Sequence, residues 1–166
     1  MTGTADIVIE PDGYKIGRDA TPLAAHLQAA VAVCVHDDTQ GVGGLLHLRY
    51  LAKGQTKPLD LTDNTLSSDL LLLDRFCKDL RTQGARKHSW RVRLVGHIPS
   101  GEGLDQPAAT LLDLLRAYFA DNRLPVECKE FNREQKLIVR LQPREGRVSV
   151  SAAAEGQPLA SAYKAS

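Results

Sequence analysis

The feature that most constrains this chain is a continuous apolar run at residues 27–35, whose second half is rich in β-branched side chains. Such side chains favour a strand, and a strand without a polar face must be buried on both faces. Residues 36–41 then have the composition of a turn. Residues 42–48 are predicted to return as a second strand, in which Gly43 and Gly44 mark a bulge or a close backbone approach. The two runs predict a central hairpin.

Helices and shorter strands flank this hairpin in the sequence. Leucines and one cysteine between residues 66 and 80 recur at intervals of 4, 3, 4 and 3, which is the spacing of one helix face. The predicted helices span residues 66–82 and 107–121, and further strands are predicted at residues 7–9, 14–16, 90–97, 125–128, 137–141 and 147–151. The first two of these strands are expected to form a small hairpin, and residues 52–64 a long loop.

The order of the predicted elements indicates the fold class. The predicted order is strands, a long loop, a helix, a strand, a helix and three final strands. This order does not alternate strictly between strand and helix. This order favours an α+β fold, a layered mixed sandwich with a β-sheet core and two main helices, over a doubly wound parallel sheet. A length of 166 residues fits one domain, predicted at residues 1–151, and residues 152–166 are predicted to be a disordered tail.

Composition excludes several classes of protein. Lys and Arg number 21 and Asp and Glu 20, and this balance argues against a strongly basic nucleic-acid-binding module. Aromatic residues make up 5%, so stacking platforms are few. The three cysteines lack metal-ligand spacing, so we expect no metal, no cofactor and a reducing, cytoplasmic location. No segment has the roughly 20 apolar residues needed to span a bilayer, and no signal peptide is expected.

Few single residues suggest chemistry by themselves. Gly41, Gly43 and Gly44 do not form a phosphate-binding loop, because they precede a strand and not the start of a helix. His47 is a lone imidazole in an apolar strand, a setting in which a hydrogen-bonded core histidine is more common than a catalytic one. Cys34 lies between valines and is predicted to be a buried, unreactive thiol.

Two short stretches of the predicted hairpin carry a more distinctive pattern, Val31-Ala32-Val33-Cys34 and Gly43-Gly44-Leu45-Leu46-His47. The pattern resembles the CheD family of chemoreceptor glutamine deamidases. Members of that family carry a Gly-Ser-Cys triplet running into an apolar Val-Ala-Val-Cys strand, then a turn and a Gly-Gly-x-x-His strand. The order and spacing of the other predicted elements continue the resemblance to Val150, so it covers most of the chain.

The resemblance implies a site that has lost its nucleophile. In the family a Cys thiolate attacks the side-chain amide of a receptor glutamine, a His acts as the base and a Thr assists. The base corresponds to His47, the nucleophile to Ala30 and the Thr to Ala24, and the Gly-Ser pair corresponds to Gln28 and Ala29. Because an alanine cannot form a thioester, the resemblance implies a catalytically inactive homologue.

Such a homologue would act as a binding or regulatory module. The partners that the resemblance implies are the cytoplasmic region of chemoreceptors or a CheC-type phosphatase, with no nucleic acid. The resemblance implies a remnant groove shaped for a glutamine side chain or a partner loop, lined by Gly43, Gly44, Gln28 and Ala29. The family's late glycine-rich loop corresponds to residues 132–135, which contain no glycine.

Two alternatives stay open. Amidase activity could persist with Cys34 as the nucleophile, although four residues along a strand correspond to about 13 Å and would separate this thiol from a His placed for position 30. The basic residues between 81 and 93 could instead bind nucleic acid, which would show a steep salt dependence. For that stretch a solvated turn between a helix and a strand is the preferred interpretation. Its members are Arg81, Arg86, Lys87, His88, Arg91 and Arg93.

Overall fold

The computed structural model describes residues 5–49, 51–52, 55–56, 64–84, 89–98, 105–124, 126–132 and 136–152. Within these ranges the chain forms eleven strands and two helices. In chain order they are β1 (Ile7–Val8), β2 (Gly13–Gly17), β3 (Leu23–Leu27), β4 (Ala30–Asp37), β5 (Val42–Arg49), β6 (Leu51–Ala52), β7 (Gln55–Thr56), α1 (Asn64–Thr82), β8 (Trp90–His97), α2 (Asp105–Asp121), β9 (Val126–Asn132), β10 (Leu137–Gln142) and β11 (Arg147–Ala152).

Two mixed sheets contain most of the strands. The central sheet has the order β2-β5-β4-β8-β9, and the outer sheet has the order β1-β3-β10-β11. Strands β6 and β7 pair with each other. In the central sheet only β8 and β9 are parallel, and in the outer sheet only β1 and β3 are parallel. Mixed sheets with separate helices make the fold α+β, as predicted.

Strand β4 lies in the middle of the central sheet and is buried along its whole length. Its three valines pack into a core with the two helices, which contribute Phe76 and Phe119. On its other face Ala30, Ala32 and Cys34 pack into a second core with the outer sheet. The molecule therefore has three layers, helices, central sheet and outer sheet, and the prediction of a layered sandwich with two main helices is confirmed.

The central hairpin and both helices are confirmed. Strands β4 and β5 pair in antiparallel register from Ala30 opposite Arg49 to Asp37 opposite Val42. The helices begin at 64 and 105, each two residues earlier than predicted. Of the predicted loop at residues 52–64, positions 53–54 and 57–63 lie outside the described residues, as do residues 153–166 of the predicted tail. No helix in the described part of the chain is long and apolar enough to cross a membrane.

The apolar run at residues 27–35 is not one strand, so that prediction is wrong. Strand β3 ends at Leu27 in the outer sheet, and β4 begins at Ala30 in the central sheet. The chain turns between them at Ala29, whose φ of 51° lies in the left-handed region. Both strands are buried, so the hydrophobic pattern continues across the turn and does not show the change of sheet.

The predicted hairpin at the start of the chain is also wrong. Strand β1 pairs in parallel with β3, whereas β2 pairs in antiparallel register with β5. The turn between β1 and β2 therefore carries the chain from the outer sheet to the central sheet. A run of alternating residues indicates a strand, but the choice of partner depends on contacts that are distant in sequence.

Candidate functional site

Ala30 lies at the start of β4, on the face of the central sheet that meets the outer sheet. It is opposite Arg49 of β5 and His97 of β8. His47 is opposite Ala32, which places it one diagonal step from Ala30, at about 7–8 Å. Residues opposite each other in antiparallel strands project from the same face. The structure therefore brings the nucleophile position and the base position of the family pattern together.

The ring of His47 is fixed by the main chain of the segment that follows β1. Its Nδ1 lies 3.2 Å from the carbonyl oxygen of Ile9. Because a carbonyl can only accept, Nδ1 carries the proton and Nε2 keeps a lone pair. Burial lowers the pKa of His47, although the hydrogen bond to Ile9 opposes this shift. The result is a neutral imidazole in the tautomer that a general base requires.

His97 has the opposite tautomer. Its Nδ1 accepts a hydrogen bond of 2.9 Å from the backbone N–H of Ala29. The ring is therefore protonated at Nε2, which is a donor. Burial lowers the pKa of His97, and the nearby Lys136 lowers it further. The left-handed conformation of Ala29 forms the turn from which this N–H reaches His97.

Arg49 lies beside Ala30 on the β5 side. Its guanidinium bonds one carboxylate oxygen of Asp12, Oδ2, from Nη2 at 2.8 Å and from Nε at 3.2 Å. The backbone N–H of Arg49 also donates to the other oxygen of Asp12, at 3.3 Å. Sequence reasoning missed both Arg49 and His97. The sequence did contain a signal for His97. It lies two residues after Val95 in the same strand, so the alternation of side chains places both on the same apolar face.

This group contains two imidazole rings and has no nucleophile at position 30. In their neutral tautomers His47 has a lone pair at Nε2 and His97 has its proton at Nε2, while the side chain at position 30 is a methyl group. Ala30 is fully buried, and the two histidines are also buried. Across the described residues, no three or more His, Cys, Asp or Glu side chains are placed to hold a metal ion.

Gly43 and Gly44 do not join this group. Gly43 lies four residues before His47 in β5, about 13 Å along the strand. A Cβ at Gly43 would lie 3.3 Å from the ring of His36, and a Cβ at Gly44 would lie 2.6 Å from Phe76 in the helix layer. The two glycines allow close packing on opposite faces of the sheet.

The other positions of the family pattern are also dispersed. Gln28 is exposed, whereas Ala29 is buried and contributes only its N–H to the Ala30 site. In β3, Leu23 and Ala25 face the core between the two sheets, so Ala24 projects from the opposite face of the outer sheet. A threonine at position 24 would therefore point away from that core.

Cys34 is closer to His47 than the sequence suggested. It lies four residues from Ala30, as expected, but His47 is opposite Ala32, midway between the two. Cys34 is thus one diagonal step from His47, and the expected separation of these two residues is wrong. The cysteine is 2% exposed and lines a pocket with His36.

The basic stretch at residues 81–93 does not form one surface in its described part. Arg81 is exposed in the last turn of α1, in the helix layer. Arg91 and Arg93 are opposite His36 and Cys34, on the face of the central sheet turned away from the helices. Residues 85–88 lie outside the described residues.

Comparisons with known proteins assign no family to the chain. No family model matches it, and no curated protein matches it. Among solved structures it is similar to the Bacillus licheniformis hypothetical protein YfiH, with 16% sequence identity and a TM-score of 0.43. That match covers 70% of this chain and 48% of the other, so the chain spans about half the length of that protein.

Proposed function

We propose that the chain is a CheD-like protein without deamidase activity, which binds chemoreceptors in the cytoplasm or a CheC-type phosphatase. The motif strands at residues 31–34 and 43–47 support this proposal. The observation that carries it is the register of β4 and β5, which sets Ala30 one diagonal step from His47 on one buried face. A nucleophile and its base require this proximity.

The side chains around Ala30 suit a carboxamide. A glutamine side chain has an NH₂ group that can donate to the lone pair at Nε2 of His47. Without a thiol at position 30, such an amide can be bound but not cleaved. Because Ala30 and both rings are buried, binding of a glutamine there requires local opening of the two sheets.

Binding and turnover are separated by one experiment. The purified protein is titrated with a chemoreceptor cytoplasmic fragment carrying glutamine at its modification sites, and ammonia release is measured in the same samples. We expect saturable association without ammonia. The same fragment with glutamate at those sites is the control and should bind more weakly. Absence of binding to both the receptor fragment and a CheC-type phosphatase would contradict the proposal.

Restoring the nucleophile tests the assignment of position 30. The variant Ala30→Cys should release ammonia from the receptor fragment, because its thiol would lie one diagonal step from His47, whose Nε2 has a lone pair. Ala30→Ser is the matched control and should stay inactive, since a hydroxyl is a much weaker nucleophile. The variant Ala30→Cys with His47→Ala should lose the gained activity. An inactive, folded Ala30→Cys would refute the assignment.

A second candidate function is an active amidase that uses Cys34. The observation that favours it is the diagonal step between Cys34 and His47. This candidate predicts ammonia release by the wild-type protein and its loss in Cys34→Ala. Ammonia release that persists in Cys34→Ala, or wild-type protein that releases none, would exclude it.

A further inference from the structure

We propose that the peptide group between Gln28 and Ala29 is a pH-sensitive switch, which reverses its direction when His97 takes up a proton. The two residues form the short connection between β3 in the outer sheet and β4 in the central sheet. In the observed state this peptide group directs its N–H to the ring of His97. The switch is a property of the fold and does not depend on the proposed function.

The hydrogen bond between Ala29 and His97 requires a neutral imidazole. Nδ1 of His97 accepts it at 2.9 Å from the backbone N–H of Ala29, and both residues are buried. A proton on Nδ1 would turn this acceptor into a donor, so two N–H groups would face each other. Because an unpaired buried donor is costly, His97 cannot take up a proton at Nδ1 unless this contact changes.

The backbone of Ala29 is strained in the observed state. Its φ of 51° lies in the left-handed region, which is unfavourable for a residue with a Cβ. Strained residues persist only where the surrounding structure holds them, and they are common in switch regions. Here the hydrogen bond to His97 is a contact that holds the strained conformation. Loss of this bond therefore favours a different conformation of the connection.

Reversal of the peptide group supplies that conformation while the neighbouring Cα atoms stay in place. The group is planar and turns as a unit, by about 180°, through opposite changes of ψ at Gln28 and φ at Ala29. The φ of Ala29 then moves from 51° to about −130°, in the extended region. The carbonyl oxygen of Gln28 takes the place of the N–H and can accept the proton on Nδ1 of His97.

The reversal breaks no described backbone hydrogen bond of the Gln28 carbonyl. Within the described ranges, no backbone N–H donates to this oxygen, and Gln28 is an exposed residue. We therefore expect the carbonyl to bond water in the observed state. After the reversal the N–H of Ala29 would bond water in its place. Both states thus satisfy the polar atoms of the peptide group, and they differ in the group that faces His97.

The surroundings of His97 contain few groups that could change its charge. Its direct neighbours in the central sheet, Ala30 in β4 and Asn132 in β9, do not titrate. Titratable or charged groups follow on β5, in the turn before β2 and directly before β10. They are His47, Arg49 with its partner Asp12, and Lys136.

The sign of the pH dependence follows from these groups. Burial lowers the pKa of His97, and the positive charge of Lys136 lowers it further. Well above pH 6.5 the ring is neutral and keeps its bond to Ala29. As the pH falls, the reversed state binds a proton that the observed state cannot bind. The ratio of reversed to observed state therefore rises by up to about tenfold per pH unit.

NMR spectra of the full chain between pH 8 and pH 4 test the switch. The signals of the His97 ring and of the Ala29 amide should change with one common midpoint below pH 6.5, while the amide of Val33 in the middle of β4 stays unchanged. Ala29→Gly removes the strain of the left-handed state, so it should lower the midpoint by about 0.5–1 pH unit. Lys136→Gln removes a positive charge from an exposed position and should raise the midpoint.

Arg123→Gly is the matched control. Its φ of 59° is also left-handed, but it lies at the end of α2, where its N–H bonds the carbonyl oxygen of Ala120. It should leave the midpoint unchanged. The proposal is overturned if the His97 ring titrates without a change at the Ala29 amide, or if both change only when the whole chain unfolds. An unchanged midpoint in folded Ala29→Gly or in Lys136→Gln, or an equal decrease in Arg123→Gly, would overturn it too.

Discussion

At the scale of single residues, the three histidines on the buried face of the central sheet differ in the group that fixes each ring. A carbonyl oxygen, that of Ile9, sets the tautomer of His47, and the N–H of Ala29 sets that of His97. A carboxylate sets that of His36. Histidines on one face of the sheet therefore carry the proton on different ring nitrogens, Nδ1 in His36 and His47 and Nε2 in His97. None of this follows from the identity of the residue.

Gly146 provides a residue-scale prediction. Gly146→Ala should lower the free energy of unfolding by about 2–4 kcal/mol, because its φ of 73° strains any side chain and its Cβ would collide with His36. Gly41→Ala is the matched control. Its φ of 63° imposes a similar backbone strain, but its Cβ would lie 3.4 Å from the nearest atom. It should cost about 1–2 kcal/mol, the strain alone.

Urea unfolding of both variants measures the difference. Adding His36→Ala to Gly146→Ala should recover part of the loss, since the collision is with the imidazole ring. Equal losses for the two glycine variants would show that the packing of His36 against the turn is not the cause.

At the scale of elements, α1 is tied to its neighbours by two tyrosine hydroxyl groups. Tyr14 of β2 donates to Asp79, and Tyr118 of α2 donates to Asp74 at 2.7 Å. Burial and the hydrogen bond to Asp74 raise the pKa of Tyr118, so it stays a donor at neutral pH. These bonds fix the position of α1 over β5, where Phe76 packs against a strand residue that has no side chain, Gly44.

The element-scale prediction concerns this contact. Gly44→Ala should destabilise the protein by about 1–3 kcal/mol, because the new Cβ would lie 2.6 Å from Phe76 and the helix would have to shift. In the background Phe76→Leu, which shortens the side chain, the same change should cost less. A double-mutant cycle measured by urea unfolding gives the coupling between the two positions. Additive losses would mean that Phe76 does not set the distance between α1 and the sheet.

At the scale of the whole molecule, the two cores on either side of the central sheet differ in polarity. The core with the helices includes aromatic side chains, whereas the layer between the two sheets contains aliphatic side chains from alanine to leucine together with the buried His47 and His97. Burial lowers the pKa of both histidines below the ordinary value of 6.5. Packing of the two sheets is therefore coupled to pH.

The sign of that coupling can be predicted from the lowered pKa values. Well above pH 6.5 both rings are neutral in the folded and the unfolded chain, and the full stability is present. As the pH falls below 6.5 the unfolded chain takes up protons first, so the free energy of unfolding decreases until the folded pKa is reached. The slope is at most about 1.4 kcal/mol per pH unit for each histidine.

Urea unfolding between pH 8 and pH 5 measures this slope. The double variant His47→Gln with His97→Asn places a polar carboxamide, which cannot titrate, at both positions, so its curve should be flatter than that of wild type. An unchanged slope in the double variant would show that other groups cause the acid sensitivity.

Sequence patterns predicted the fold class and most elements. Helix α1 was identified by five positions at helical spacing, Leu66, Leu70, Leu73, Cys77 and Leu80. Strands β4 and β5 were identified by their apolar runs. Those patterns are local, because each reflects burial of one face or both faces of one element. The candidate site was predicted in part. The motif pointed to Ala30 and His47 as neighbours, but it missed His97 and Arg49 and included Gly43 and Gly44, which lie elsewhere.

The sequence by itself determined that a doubly buried strand needs a layer on each side and that two helices are available for one of them. Only the tertiary structure decided that the chain changes sheets at Ala29, that His97 receives its hydrogen bond, and that His36 faces two arginines. The physical reason is the same in each case. These contacts join residues far apart in the chain, 68 positions for Ala29 and His97, and a pattern of neighbouring residues contains no information on which strand lies opposite.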